Sequence, residues 1–251
     1  MVFKEKTIIC RELNRYKDSN RSKPFNLVYT TFNYQSSQKD KEFIDKIIVK
    51  GEELAKKVNP AAANNSNKPR KKERLINNAS AGLLAEYCWK QYINKKANSN
   101  IVDYTAFTDA ATQIDLYVLA NKNLIEVRSS FPRNGIPFSI CHSLYEFDIL
   151  GPYSNTVKPG EIQKDFYVRT LFHIPTGKSF LELIKEDRFN VFLSGGATWN
   201  MMNDSTISKN KDLVPEDSFL PDEEKSTFRV VPFSKAIDTV EIFNLINSTN
   251  S

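Results

Sequence analysis

The sequence predicts an α/β fold built on a mixed β-sheet, and three observations predict it. The segments TQIDLYVL (Thr112–Leu119) and LIEVRSS (Leu124–Ser130) alternate in hydropathy on either side of Asn121-Lys122-Asn123, the pattern of a hairpin. Ahead of them, Leu83, Leu84, Tyr87, Trp89 and Ile93 recur at helical spacing and place a helix over about Ala79–Lys95. Downstream, strand-like and helix-like segments alternate again, so the hairpin belongs to a sheet that also takes a crossover connection.

The elements follow in chain order. NLVYTTFNY (Asn26–Tyr34) is rich in β-branched and aromatic residues and reads as a strand. Phe43, Ile44, Ile47, Ile48, Leu54 and Ala55 give Asp40–Val58 a helical stripe. Asn59–Pro69 is a loop by composition. After the hairpin, Phe131–Gly160 carries four prolines and three glycines and reads as irregular. KDFYVRTLFHI (Lys164–Ile174) is a strand, and Ser179 with Glu182 forms a capping box that opens the short helix SFLELIKE. Phe189–Leu193 is a strand, Gly195-Gly196 a tight turn, and Ala197–Met202 a helix start; Lys209–Ser226 is polar and reads as an exposed loop. From Ala79 onward the order is αβββαβ. We divide the chain into an N-terminal strand and helix region (1–69), a core (70–205) and a C-terminal extension (206–251).

Composition narrows the function classes. The chain has 251 residues, 40% of them apolar, enough for one buried core. Seventeen Phe, ten Tyr and two Trp exclude disorder throughout. Apolar runs such as Leu116–Ala120 fall far short of the roughly 20 residues that span a bilayer, so no membrane partner is expected. Lys4, Glu5 and Lys6 precede only the short run Thr7–Cys10, which is no secretory signal. Cys10, Cys88 and Cys141 are odd in number and widely spaced, forming neither a disulfide framework nor a zinc pattern, and the cytoplasm is the expected location. A net charge of +5 permits a polyanionic partner. Lys68, Arg70, Lys71, Lys72 and Arg74 form a basic cluster that reads equally as a nucleic-acid contact or a solvated helix end.

One constellation carries chemistry. Glu126 and Arg128 are two apart on a strand and project from one face, while Ile125 and Val127 project from the other. Asp115 lies on the preceding strand, within reach of Glu126 across a tight hairpin. Two carboxylates on a rigid sheet suit a hard divalent cation, and Mg²⁺ takes one or two carboxylates plus waters and phosphate oxygens. The plainer reading is the polar face of a half-exposed sheet, with Glu126 and Arg128 paired. Glu86 adds weight to the first, because Leu83, Trp89 and Ile93 place it on or beside the apolar stripe of its helix, where a carboxylate needs a partner.

The helix Ala-Gly-Leu-Leu-Ala-Glu-Tyr (Gly82, Glu86), the strand with Ile114-Asp115 and the strand Ile125-Glu126-Val127-Arg128-Ser129-Ser130 resemble the PD-(D/E)XK nuclease superfamily, the fold of most type II restriction endonucleases and many repair and recombination nucleases. The resemblance runs over roughly residues 70–205, with Lys164–Val168 similar to its third core strand and Phe189–Thr198 similar to the strand beyond. It implies a restriction-endonuclease-like α/β core with a mixed sheet (αβββαβ) flanked by helices. It further implies Asp115 and Glu126 as Mg²⁺ ligands, Glu86 on a metal-bound water or a second Mg²⁺, and Arg128 in the place of the family's lysine. Arginine keeps its proton near neutral pH, so Arg128 can orient water and hold phosphate but cannot act as a base. Lys122 and Lys164 are alternative sources of the amine.

The function implied is an Mg²⁺-dependent endonuclease of the restriction type acting on double-stranded DNA. The alternatives are a repair or recombination nuclease, a DNA-binding protein on the same fold with impaired catalysis, and a scaffold in which these residues form an ion network. Arg133 and Asn134, on the segment that follows the site strand, are candidate DNA contacts together with the basic cluster, and a homodimer would suit a palindromic site.

Overall fold

The structure of the chain, a computed structural model, describes residues 1–13, 21, 23–57, 71–105, 115–142, 147–155, 160–213 and 226–250. Its elements are β1 (Phe3–Ile8), β2 (Phe25–Phe32), α1 (Gln38–Ala55), α2 (Lys72–Lys96), β3 (Val102–Tyr104), β4 (Leu116–Val118), β5 (Leu124–Ser130) and α3 (Ile136–Cys141). The second half holds β6 (Asp148–Ser154), β7 (Phe166–Leu171), α4 (Phe180–Leu183), β8 (Phe189–Thr198), α5 (Trp199–Asn203), β9 (Lys209–Leu213), β10 (Ser226–Pro232) and α6 (Thr239–Ser248).

Among the described residues, seven strands form one sheet in the order β1-β2-β8-β7-β5-β4-β3, and β6-β10-β9 form a second. Within the large sheet β5 and β7 run parallel while their neighbours pair antiparallel, so the α/β class with a mixed sheet holds. The N-terminal strands are part of this sheet, because β2 pairs with β8. One face carries α1, α2, α4 and α6, packed through Ile44, Leu84, Trp89, Phe180 and Ile242 against Val28, Ile125, Val127 and Leu193. The other carries α3, α5 and the small sheet, packed through Ile140, Met202, Ile149 and Val231 against Leu27, Tyr167 and Leu171.

Several elements depart from the sequence reading for identifiable reasons. Helix α2 starts at Lys72, seven residues ahead of the expected start at Ala79; its first turns bury only Leu75 and so carry no apolar stripe. The segment read as irregular contains α3 and β6. Pro137 sits in the first turn of α3, where no N–H is needed, and the β6–β10 ladder shifts register between Phe228 and Val230, which gives Gly151-Pro152 room in a strand. Gly195-Gly196 does not end β8. The strand runs through both, and glycine is required because Ile237 pairs with Gly196 from outside, leaving Gly195 at φ 70° with its missing Cβ 2.2 Å from the Ile237 carbonyl oxygen. The region read as a polar loop contains β9 and the start of β10; residues 214–225 between them, with the acidic residues Glu216, Asp217, Asp222, Glu223 and Glu224, lie outside the described residues, as do Asn59–Pro69 and Thr112–Ile114.

The cysteine reading is corrected outright. Cys10 and Cys141, 131 positions apart, form a disulfide that ties the chain after β1 to α3, while Cys88 is a buried free thiol. Spacing in sequence says nothing about which thiols the fold brings together. Breaking this link with Cys10→Ser is expected to lower stability by about 2–4 kcal/mol, because it releases a long loop in the unfolded chain. Denaturant titration checks the loss, and alkylation of the unfolded, unreduced protein should label one thiol, Cys88.

Candidate active site

The site grows from the place where the β4–β5 hairpin opens. The turn closes with Lys122 at φ 64° and Asn123 N donating to Asn121 Oδ1 at 2.9 Å. The ladder then pairs Tyr117 with Leu124 and Leu116 with Ile125, and stops. Beyond it the Asp115 side chain takes over from the backbone: its Oδ2 accepts Val127 N at 2.7 Å. A buried carboxylate therefore sits against the middle of β5, held by the strand it faces.

Strand β5 presents Ile125 and Val127 to the helical layer and Glu126 and Arg128 to the other side. Arg128 Nη2 lies 2.8 Å from Glu126 Oε1 and donates to both oxygens of Glu161 at 2.9 Å. Lys164 Nζ lies 3.5 Å from Glu126 Oε2 and donates to the Ile162 carbonyl at 3.1 Å. Lys164 is only 4% exposed, so this lysine is built into the site, whereas Lys122 lies over the Tyr117 ring in the turn. Tyr153, on β6, places its ring 5.5 Å from the Arg128 guanidinium carbon.

Glu86 joins from α2, whose position on the sheet is set by Trp89. Trp89 is fully buried, and its Nε1 donates to Thr170 Oγ1 on β7 at 3.0 Å. Glu86 is half-buried beside Gly82, and it has no hydrogen bond or ion pair to any described residue. Burial and then the charge of Glu126 push its pKa up to about 8. Asp115 is likewise raised, by burial, then Glu126, then Glu86, against the opposing pull of Val127 N–H and Arg128. Burial pulls the Arg128 guanidinium down, but Glu126, Glu161 and Asp115 together outweigh it, so the group stays charged.

The Glu86 shift has a measurable sign. The native state holds a proton that the unfolded chain releases above the ordinary carboxylate range, so stability falls as pH rises toward about 8. In metal-free buffer the contribution of Glu86 to this slope is expected to be at most about 1.4 kcal/mol per pH unit, and Glu86→Gln should reduce the slope by that contribution in denaturant melts taken between pH 5 and 9.

Of the residues anticipated from sequence, Glu126 and Arg128 are paired directly, Asp115 is held against β5 by Val127 N, and Glu86 comes near enough for the charge of Glu126 to raise its pKa. Glu161 was not anticipated. It sits 33 positions from Arg128, on a stretch with no periodicity to betray it. Among the described residues, no group of three or more His, Cys, Asp or Glu side chains is arranged to hold a metal ion. The donor set still fits a cation of the Mg²⁺ kind, which needs one or two carboxylates and otherwise keeps its waters. Glu126 and Glu161 share Arg128, Lys164 stands 3.5 Å from Glu126, and Glu126 Oε2 is buried without a hydrogen bond.

The candidate DNA contacts lie apart from this group. Lys71 and Lys72 are exposed and Arg74 part-buried at the start of α2, about 20 Å along the helix from Glu86; Lys68 and Arg70 lie outside the described residues. Arg133 and Asn134 are exposed ahead of α3. Asn134 lines a cleft of about 480 Å³ with Lys6, His173 and Arg188, floored by Ile8, Leu27 and Phe192. No helix among the described residues is long and apolar enough to cross a membrane.

No protein-family model matches the chain, and no solved structure matches it. It is similar to Uncharacterized protein MJECS01 of Methanocaldococcus jannaschii, 29% identical over 133 residues, which is 48% of this chain and 47% of that protein. The match therefore spans about half the length of that relative.

Proposed function

We propose that the chain is an Mg²⁺-dependent DNA endonuclease of the restriction type. The observation that carries this reading is the approach of three carboxylates: Asp115 is held against β5 beside Glu126, and Glu86 feels the charge of Glu126 while lacking any hydrogen-bond or ion-pair partner among the described residues. Such a cluster relieves its repulsion by holding protons or by holding a cation, and the raised pKa values of Glu86 and Asp115 are what the first alternative looks like.

In this reading Asp115 and Glu126 are the metal ligands, and Glu86 holds a water or a second ion. Bound there, Mg²⁺ would polarise a phosphodiester and lower the pKa of a water. The protein's own part is positional. Asp115 is fixed by Val127 N–H, Arg128 presents a charged guanidinium that can neutralise a phosphate oxygen, and the Arg133–Asn134 segment leads from the same strand toward the cleft with Lys6 and Arg188. Lys71, Lys72 and Arg74 add sequence-independent attraction to a polyanion. A second copy on a two-fold symmetric site belongs to the same proposal.

A second reading, a DNA-binding protein that does not cut, is favoured by the ion pair between Arg128 and Glu126, which occupies one ligand oxygen. Supercoiled plasmid incubated with Mg²⁺ decides between them. Linear or discrete products, lost on adding EDTA, support the endonuclease. Retarded but intact DNA in both Mg²⁺ and Mn²⁺ supports the second reading, and no DNA binding at low salt rejects both.

A further inference from the structure

We propose that Glu161 is a positioning residue: by drawing the Arg128 guanidinium toward itself it keeps Glu126 available to a divalent cation. This rests on the metal-site reading above. If Arg128 faced Glu126 alone, one buried guanidinium and one buried carboxylate would close into a neutral pair, and a second cation would find little to attract it. Instead Arg128 Nη2 is shared, at 2.8 Å from Glu126 Oε1 and 2.9 Å from each oxygen of Glu161. Glu161 is built into this place. Its side chain is 7% exposed, and its Oε2 also accepts Tyr153 N at 3.2 Å, from the strand whose Tyr153 ring faces Arg128.

The rest of the same segment completes the arrangement. Ile162 supplies the carbonyl that engages Lys164 Nζ at 3.1 Å, so the lysine stands 3.5 Å from Glu126 Oε2, beyond close hydrogen-bonding distance. That oxygen is buried and has no hydrogen bond. The segment Glu161–Lys164 therefore sets how much of Glu126 its basic neighbours consume. Outer partners of metal ligands typically change metal affinity about 10- to 100-fold, and Glu161 acts on Glu126 through Arg128.

Isothermal titration of the full chain with Mg²⁺, and separately with Mn²⁺, tests the inference without reference to cleavage. Glu161→Gln keeps the shape and one acceptor oxygen but removes the charge, and it is expected to weaken binding by about 10- to 100-fold. Adding Arg128→Met to it restores the charge balance and should return affinity close to the wild-type value. Arg128→Met alone, which leaves Glu161 in place, should bind at least as tightly as wild type and serves if Glu161→Gln fails to fold by near-UV circular dichroism. Unchanged affinity in Glu161→Gln, a double variant no tighter than the single, or weaker binding by Arg128→Met overturns the proposal. A wild-type chain that takes up neither ion overturns the metal-site reading itself, and this inference with it.

Discussion

If the proposed endonuclease activity holds, plasmid DNA incubated in Mg²⁺ with the Asp115→Asn or the Glu126→Gln protein is expected to remain supercoiled over times in which the wild-type protein cuts it completely. The loss should reach about 10³-fold or more, since a metal's charge stabilisation is worth several kcal/mol and each 1.4 kcal/mol is a factor of ten. Both changes keep the side chain's volume and remove only its charge. In Asp115→Asn the amide oxygen can still accept Val127 N, so the opening of the hairpin should survive. In Glu126→Gln the partners Arg128 and Lys164 lose one carboxylate, but Arg128 retains Glu161. Thermal melts separate loss of chemistry from loss of fold, and gel retardation at low salt should show DNA binding preserved. Cleavage undiminished in either variant would remove that residue from the active site.

The largest expected effect on stability is at Trp89. Trp89→Ala should cost about 3–5 kcal/mol, measured as a lower denaturant midpoint with an unchanged slope. Two losses combine there. The indole is fully buried against Tyr92 in the helical-side core, so its removal leaves a cavity. It also donates to Thr170 Oγ1, which would be left buried without that partner. Because this bond joins α2 to β7, and α2 carries Glu86, the variant should also loosen the site. The Glu86 pH dependence should then weaken, as burial is its principal cause.

Strongly periodic segments were legible in the sequence. The apolar stripes of α1 and α2, the Asn121–Asn123 hairpin and the Ser179–Glu182 capping box all appear where their local signals place them. Elements whose stability comes from tertiary pairing were not. Strand β1 alternates weakly because its outer edge faces solvent, β6 contains glycine and proline tolerated only beside a bulge, and Gly195-Gly196 looks like a turn unless Ile237 is known to approach it. The same division runs through the site. Glu126 and Arg128 share a strand, so their common face follows from the two-residue period. Asp115 needed the hairpin, and Glu86 needed a helix whose register the apolar stripe reveals. Glu161 and the buried position of Lys164 depend on how the chain returns from the small sheet, and the disulfide depends on the packing of α3 against the N-terminal segment; no local pattern encodes either.

The large sheet ends in β1 on one side, where Lys4, Glu5, Lys6 and Thr7 are exposed, and in the three-residue β3 on the other. A row of alternating charges resists the docking of another strand, and a rim so brief offers few backbone groups to bond. Two copies drawn together by a symmetric stretch of duplex would therefore meet through helices or connecting loops, leaving each pleated layer separate and each catalytic group free to set its own distance from its twin.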